Sequence, residues 1–226
     1  MNEFVLRMSK LDSCAVSDAL DKLGLKGSVT GLRQFSTERR IVGRVLTVKL
    51  DAAEGRSNTR HLCTAAIEAA KAGDILVVEQ RTGIDAACWG GNLTIGAKVK
   101  GVAGVIVEGP ARDIDDSRRL DFPVYARSAT SRTARGRIVE VATNEPVLVG
   151  DATVRAGDYA IADASGVVFV AQEEIASVVE TAESIMQREE LMAQALREGK
   201  PIGQVMGAHY EHMLKKESGV RRQESE

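Results

Sequence analysis

The apolar positions of the chain alternate between a spacing typical of helices and one typical of strands. Helical spacing between Ser9 and Gly24 predicts an amphipathic helix that ends at the glycine. Residues 40–50 are rich in Val and Ile and predict a strand, and the alanine-rich segment 59–72 predicts the helix that follows it. The apolar run 75–78 then predicts a buried strand. The first part of the chain is therefore expected to form βα units.

This alternation continues to residue 127 and then gives way to short β-runs separated by Gly-Asp and Ser-Gly turns. A long helix is predicted from Glu173 to Arg197, and Pro201 separates it from a last helix over 202–214. The other predicted elements are a helix over Leu93–Lys100, a strand over Val102–Val107, a helix over Asp115–Leu120, a strand over Phe122–Arg127, and short strands over 138–141, 147–149, 159–161 and 167–170.

Mixed βα units followed by a β-rich half predict one layered α/β domain, and the absence of a repeat of 20 to 50 residues argues against a solenoid or a propeller. We expect the catalytic-type domain to cover residues 1–172. The C-terminal helices of 173–216 are expected to pack in an oligomer, because the part after Pro201 has few apolar partners inside such a domain. The charged tail 217–226 is expected to be flexible.

The composition excludes several classes of protein. With 226 residues, 44% of them hydrophobic, the chain can bury a substantial core. A formal net charge of −2 provides no bulk attraction for nucleic acid. The chain opens without a basic segment followed by an apolar one and has no apolar run long enough to span a bilayer. We therefore expect a cytoplasmic protein with neither a nucleic acid nor a membrane as its partner.

The cysteines and histidines indicate no metal site by their spacing. Cys14, Cys63 and Cys88 are scattered and form no C-x-x-C pair, so they are expected to be buried free thiols. His209 and His212 would share one face of the last helix, where a solvated face is the better interpretation because no carboxylate completes a zinc motif.

A glycine turn is the first candidate for chemistry. If Leu93–Lys100 is a helix, the backbone N–H groups of Gly91, Asn92 and Leu93 form its open N-terminus, and the pair Gly90-Gly91 lets an anion approach the chain closely. The turn is therefore a candidate binding site for a carboxylate or a phosphate. The alternative is that the two glycines only make a turn.

The pair Arg112-Asp113 is the second candidate, because it follows an apolar strand and places a carboxylate-binding group beside an oxygen donor. Such a pair suits an oxo acid that chelates Mg²⁺. The alternatives are a surface salt bridge or an Asp that caps the helix over 115–120. Asp115 and Asp116 are interpreted as first-turn helix acids rather than as ligands, because the helix dipole favours acids there.

At this point the chain resembles the RraA-like family, which includes 4-hydroxy-4-methyl-2-oxoglutarate/4-carboxy-4-hydroxy-2-oxoadipate aldolases and the regulator of ribonuclease E activity A. The resemblance covers residues 16–182 in one order of motifs. These are Val16-Ser17-Asp18-Ala19-Leu20, Val42 to Val48, Ala72 to Val78, the Gly-Gly-Asn-Leu turn, Gly101 to Asp113, Phe122 to Arg127, and Gly157 to Val168.

The resemblance implies a three-layer β/β/α swivelling-domain fold, here with a C-terminal helical extension. It also implies a homotrimer or a homohexamer with active sites at subunit interfaces. By resemblance to the family's aldolases, Asp113 and water would hold Mg²⁺ or Mn²⁺, and Arg112 would contact the substrate. The amides of Gly90, Gly91, Asn92 and Leu93 would take the carboxylate of pyruvate.

One position departs from the family's pattern. The aldolases carry an Asp 21 residues before the Arg of the Arg-Asp pair, where it helps to hold metal-bound water, and this chain has Gly91 there. Another acid would have to replace it. Glu108, Asp163 and Glu173 of a neighbouring subunit are the candidates, and their order of preference stays open.

Three functions are weighed. The first is a divalent-metal-dependent lyase that forms pyruvate from a small 2-oxo acid, either by retro-aldol cleavage or by oxaloacetate decarboxylation. The second is a non-catalytic regulator that binds a ribonuclease E-type enzyme through its surface. The third, a methyltransferase, is a label that the family has often carried. It is rejected because no strand leads into a G-x-G-x-x-G helix followed by an acid.

Overall fold

The computed structural model describes residues 2–56 and 60–207. The helices are α1 (Glu3–Met8), α2 (Ser13–Leu23), α3 (Thr64–Ala69), α4 (Gly91–Val99), α5 (Ile114–Arg119), α6 (Ile175–Arg197) and α7 (Ile202–Val205). The strands are β1 (Ser28–Val29), β2 (Arg33–Gln34), β3 (Ile41–Ala52), β4 (Ile75–Gln80), β5 (Gly104–Ala111), β6 (Val124–Ala129), β7 (Ile138–Thr143), β8 (Val147–Val149), β9 (Ala152–Val154), β10 (Tyr159–Ala162) and β11 (Val167–Val170).

The sheet is built around the long strand β3. Strands β3, β4, β5 and β6 run parallel in that order, and the short β2 adds an antiparallel edge to β6. The first part of β3 also pairs antiparallel with β10, which continues through β11 to β1, while its last part pairs with β7. Strands β8 and β9 form a separate hairpin. Parallel pairing places the carboxyl ends of β4 and β5 at one edge, where the candidate residues lie.

The residues of each strand alternate between two hydrophobic cores. Leu76 and Val78 of β4 face a core that includes residues of α3 and α4, whereas Ile75 and Val77 face a core shared with β8, β9 and β11. This alternation follows from the two-residue period of a strand. The predicted β/β/α layering is confirmed.

A third core extends the predicted three layers. The outer face of β10 and β11 packs against α2 and the first half of α6, where Val178, Val179 and Ala182 are fully buried. The second half of α6 is more exposed, and Leu191 keeps 62% of its surface. The first half of α6 is therefore part of the chain's own core. Packing of the C-terminal helices in an oligomer stays a prediction.

Several predicted boundaries are wrong for local reasons. The helix predicted over 9–24 begins only at Ser13, because the Asp12 carboxylate accepts from Ala15 N–H and caps α2 there. The short helix α1 before it was not predicted. The helix predicted over 59–72 is shorter and begins at Thr64. Strands β1, β2 and β9 are too short for periodicity to identify.

The cysteine prediction is right for Cys63 and Cys88, which are buried, and wrong for Cys14, which is exposed. Among residues 2–56 and 60–207, no helix combines the length and the apolar character needed to cross a bilayer. His209, His212, the end of the predicted last helix and the tail 217–226 lie outside the described residues.

Candidate functional site

A cavity of about 370 Å³ lies where α4 and α5 begin. Two backbone contacts bring these helix starts together: Cys88 N–H donates to Pro110 O at 3.0 Å, and Arg112 N–H donates to Trp89 O at 3.0 Å. The segment before α4 therefore runs alongside the end of β5. All the site residues predicted from the sequence line this cavity, namely Gly90, Gly91, Asn92, Leu93, Arg112 and Asp113.

The glycine turn is the open N-terminus of α4, as predicted. Gly90 is its N-cap, and a Cβ at this position would lie 2.8 Å from Asp113 Oδ2, so a side chain here would force the Asp113 carboxylate to move. The structure changes one part of the prediction, because Gly91 N–H already donates to Asp113 Oδ2 at 2.8 Å. The amides of Asn92 and Leu93 have no acceptor within the described ranges and stay open to a ligand.

Asp113 joins the two helix starts with only one of its oxygens. Its Oδ2 accepts from Gly91 N–H and from Arg112 Nε, the latter at 3.3 Å. Its Oδ1 has no partner in the described part of the chain, and 35% of the side chain is exposed. The salt bridge that the sequence analysis named as an alternative is therefore present, between Asp113 Oδ2 and Arg112 Nε. Asp113 does precede α5, but its side chain makes no cap hydrogen bond there.

The space beside Gly91 is filled by the carboxylate of Asp116, which the sequence analysis assigned to the first turn of a helix. A Cβ at position 91 would lie 2.8 Å from Asp116 Oδ2 and 3.5 Å from Asp113 Oδ2. Asp116 is in the first turn of α5, as predicted, but it also lines the cavity. The glycine at 91 therefore leaves room for a carboxylate from α5. The sequence carried a signal for this arrangement, because the chain has both a glycine at position 91 and an acid, Asp116, three residues after Asp113.

A buried hydrogen-bond network holds the two helix starts in place. Trp89 Nε1 donates to Thr94 Oγ1 at 2.9 Å, and Thr94 Oγ1 lies 3.2 Å from both Gly90 O and Ser117 Oγ. Thr94 and Ser117 are fully buried, and Trp89 stacks on Phe122. Because the network links α4 directly to α5, the relative position of Gly91 and Asp113 is rigid.

The other acids considered from the sequence are engaged within this chain or lie elsewhere. Glu108 is buried, accepts from Arg127 at 2.7 and 2.9 Å, and accepts from Gly150 N–H. Asp163 accepts from Ser13 at the start of α2. Glu173 of the same chain does not line the cavity, and a contribution of these acids from a neighbouring subunit stays a prediction. Asp116 is therefore the acid that the fold places next to Gly91.

The buried thiols are poor nucleophiles. Burial raises the pKa of Cys63 well above the ordinary thiol value, and burial also raises that of Cys88. Both groups stay protonated at neutral pH, so chemistry through a thiolate is disfavoured although Cys88 lies at the cavity wall. His61, Thr133 and Arg135 also line the cavity and were not predicted from the sequence.

Comparisons with known proteins show which family model and which solved fold the chain matches. The family model Aldolase/RraA, of RraA-like proteins, matches residues 13–169. The chain is 26% identical over 198 residues to a Halalkalibacterium halodurans protein provisionally named 4-hydroxy-4-methyl-2-oxoglutarate aldolase. The aligned region covers 86% of this chain and 89% of that protein. The chain is also 24% identical over 204 residues to the protein DlpA of Legionella pneumophila. That alignment covers 90% of this chain but only 33% of the length of DlpA.

The fold is similar to that of a solved relative. The crystal structure of RraAS2 from Streptomyces coelicolor superposes with a TM-score of 0.77 at 25% identity, over 84% of this chain and 96% of that one. RraAS2 is described as an unusual member of the RNase ES inhibitor RraA protein family. This similarity agrees with the β/β/α layering and with the position of the helices.

Proposed function

Because the chain belongs to the aldolase/RraA family, we propose that it is a carbon–carbon lyase that cleaves a small 2-oxo acid with the help of a divalent cation. The convergence of Asp113 and Asp116 beside the open amides of α4 carries this proposal. Two carboxylates, an arginine and free N–H groups at one cavity match the charge pattern of a chelating oxo acid and its cation.

The residues present fit Mg²⁺ or Mn²⁺. Within the described ranges, no three His, Cys, Asp or Glu side chains come together as a cage for a metal ion. Mg²⁺ needs no such cage, because it commonly takes one or two carboxylates and keeps several waters. Asp113 through its free Oδ1 and Asp116 through Oδ2 would hold the hydrated ion. When bound, the ion supplies Lewis-acid polarisation of the substrate's 2-oxo group.

The chain's own groups bind and orient the substrate. The N–H groups of Asn92 and Leu93 donate to the carboxylate next to the 2-oxo group, at the positive end of the α4 dipole. The Arg112 guanidinium stabilises the negative charge that develops on the 2-oxo oxygen as the carbon–carbon bond breaks. The same charge develops in retro-aldol cleavage of 4-hydroxy-4-methyl-2-oxoglutarate and in oxaloacetate decarboxylation, and both reactions release pyruvate.

A lysine-dependent mechanism does not fit this cavity. Among the described residues, no lysine lines it, and the Lys98 ammonium contacts Leu120 O instead. A Schiff base with the substrate would need an amine within reach of the 2-oxo carbon.

The proposal is tested by pyruvate release from 4-hydroxy-4-methyl-2-oxoglutarate and from oxaloacetate, with Mg²⁺, with Mn²⁺ and with EDTA. Pyruvate is followed with lactate dehydrogenase, and a metal-only blank corrects for spontaneous oxaloacetate decarboxylation. We expect turnover that EDTA abolishes and added Mg²⁺ restores. Turnover that persists in EDTA would contradict the cation, and no turnover of either substrate would contradict the lyase.

A second candidate function is regulation of a ribonuclease E-type enzyme by surface binding. Similarity to RraAS2, a member of a ribonuclease-inhibitor family, favours it. The cavity would then be unnecessary for the effect. Inhibition of ribonuclease E-type cleavage that the variant Asp113→Asn retains in full would support this candidate, and an absence of inhibition by the wild-type protein would exclude it.

We further propose that the chain forms a homotrimer or a homohexamer. Ile95 and Val99 lie one turn apart on α4, the helix whose start lines the cavity, and are 50% and 82% exposed. An exposed apolar pair on such a helix suits a contact with a second copy. Light scattering should give a mass three or six times that of the 24.2 kDa chain, and a monomeric mass would contradict the proposal.

A further inference from the structure

One arginine that lines the cavity has no part in the proposed chemistry. Arg112 and Arg135 both line it. Arg112 is engaged by Asp113 at 3.3 Å, whereas Arg135 has no ion-pair partner within residues 2–56 and 60–207. An arginine presented to a cavity without a carboxylate partner is a recognition group for an anion.

Arg135 belongs to the loop between β6 and β7, which is anchored to the site. Thr130 N–H donates to Ala111 O at 2.9 Å, and Ala87 N–H donates to Arg132 O at 3.0 Å. Ala111 immediately precedes Arg112, and Ala87 lies three residues before Gly90. The loop backbone is therefore tied to both segments that carry the catalytic groups, which limits the distance of Arg135 from them.

The two other arginines of this loop have partners inside the chain. Arg132 Nε lies 3.4 Å from Asp85 Oδ2, and Arg137 Nη1 donates to Thr133 O at 3.0 Å. Neither lines the cavity. Of these three arginines, only Arg135 both lines the cavity and lacks such a partner in the described structure. His61 lines the same cavity and adds a second possible hydrogen-bond donor.

We infer that Arg135 selects substrates that carry a second carboxylate, at the end of the molecule away from the 2-oxo group. The inference rests on the proposed lyase function. The α4 amides, Arg112 and the cation account for the 2-oxo carboxylate end, so a guanidinium elsewhere in the cavity serves a different anionic group. Arg135 is therefore a specificity-determining residue that distinguishes 2-oxo dicarboxylic acids from 2-oxo monocarboxylic acids.

The test compares a dianionic substrate with a monoanionic one in the variant Arg135→Gln. The dianion is 4-hydroxy-4-methyl-2-oxoglutarate, followed by pyruvate release. The monoanion is pyruvate itself, followed by exchange of its methyl protons for deuterium in D₂O by NMR, because a site that stabilises charge on the 2-oxo oxygen also acidifies the adjacent carbon. Arg132→Gln is the matched control, since it makes the same change in the same loop outside the cavity.

For Arg135→Gln we expect kcat/KM for the dianion to fall by about ten- to a hundredfold, mainly through KM, because a charge-assisted hydrogen bond is lost. Pyruvate exchange should stay within about twofold of wild type, and Arg132→Gln should change neither rate. A second variant, Arg135→Lys, keeps the charge and should restore part of the KM.

Each other result has a definite meaning. Equal loss of both activities in Arg135→Gln would show a general structural effect and would overturn the inference, as would no loss in either. If the wild-type protein exchanges pyruvate protons but does not cleave the dianion, the 2-oxo acid site stands and the inference about Arg135 is wrong. If the wild-type protein does neither, the proposed lyase function fails and the inference fails with it.

Discussion

Asp113 in the cavity and Asp163 at the start of α2 each accept a hydrogen bond from the first residue of a helix that lies far away in the sequence. Asp113 accepts from Gly91 N–H at 2.8 Å, and Asp163 accepts from Ser13 N–H at 2.9 Å. Their remaining contacts differ. Both oxygens of Asp163 are engaged, because its Oδ1 also accepts from Ser13 Oγ and from Ser165 N–H. Asp113 leaves Oδ1 without a partner among the described residues.

The two aspartates also differ in exposure: 13% of the Asp163 side chain is accessible to solvent, compared with 35% of the Asp113 side chain. A carboxylate whose two oxygens both accept hydrogen bonds within the fold, and which is largely buried, stabilises the fold and is less available to a ligand. A carboxylate that is held in place by one oxygen presents the other in a fixed direction. Asp113 is therefore suited to chemistry and Asp163 to stability, although both are aspartates at helix starts.

The largest effect is expected for Asp113→Asn. Removing the charge should lower kcat/KM for pyruvate release on the order of a thousandfold, since a metal-polarised step depends on several kcal/mol of charge stabilisation. The Asn side-chain oxygen can still accept from Gly91 N–H, so thermal unfolding should hardly change. Asp115→Asn is the matched control, because this exposed neighbour pairs with Arg118 and does not line the main cavity. Full activity in Asp113→Asn would remove the distinction between the two aspartates.

A smaller loss is expected when the second carboxylate is displaced. In Gly91→Ala the new methyl group would lie 2.8 Å from Asp116 Oδ2, so the flexible Asp116 side chain must turn away. Gly91→Ala and Asp116→Asn should each lower kcat/KM by about ten- to a hundredfold, as for groups that position a metal's surroundings. The double variant should be no worse than the more damaging single one, because both remove the same carboxylate. Additive losses in this double-mutant cycle would show that Gly91 and Asp116 act separately.

Asp163→Ala should show the opposite pattern. It leaves Ser13 N–H and Oγ without their acceptor in a largely buried position, which should cost about 1–3 kcal/mol in the free energy of unfolding. Urea denaturation measures this cost, and pyruvate release per folded molecule should equal that of wild type. A loss of activity without a loss of stability would place Asp163 in the functional machinery.

The pH dependence of stability provides the smallest effect. Burial alone would raise the pKa of Asp163, but hydrogen bonds from Ser13 and Ser165 and the charge of Arg40 lower it below the ordinary value. A lowered pKa in the folded state means that the stabilisation is complete above the unfolded-state pKa of about 3.9 and is lost as the pH falls through the folded value. The stability difference between wild type and Asp163→Ala should therefore shrink below about pH 4. A difference that stays constant down to about pH 2 would contradict this contribution.

Much of the candidate site is predictable because its residues are neighbours in sequence. Gly90-Gly91-Asn92 opens a helix, and Arg112-Asp113 follows a strand, so local spacing places both candidates although it leaves an alternative open for each. The resemblance to the RraA-like family adds that the two patterns belong to one site. The same resemblance shows an acid missing at position 91, and the acid at position 116 is a signal for its replacement that does not by itself show that the two positions meet.

The sequence analysis assigned Asp116 to the first turn of α5. That assignment is correct, but it did not show that the Asp116 carboxylate also lies beside Gly91. Its closeness to Gly91 depends on how α5 packs against α4, and that packing is set by the buried contact between Thr94 and Ser117. Arg135 has no helical or strand periodicity around it, so its place at the cavity depends on the loop contacts of Ala87 and Ala111. Hydrogen bonds between segments distant in sequence are outside the reach of periodicity.

By itself, the sequence determined the alternation of helices and strands, the family, the glycine turn and the Arg-Asp pair, because each depends on local spacing or on an ordered set of motifs. The tertiary structure alone decided that Gly91 N–H is already bonded, that Asp116 occupies the space beside Gly91, and that Asp163 is engaged within the fold. The physical reason is that helix packing and the register of parallel strands determine which atoms of distant residues meet, and only those meetings show which polar groups remain free to bind a ligand.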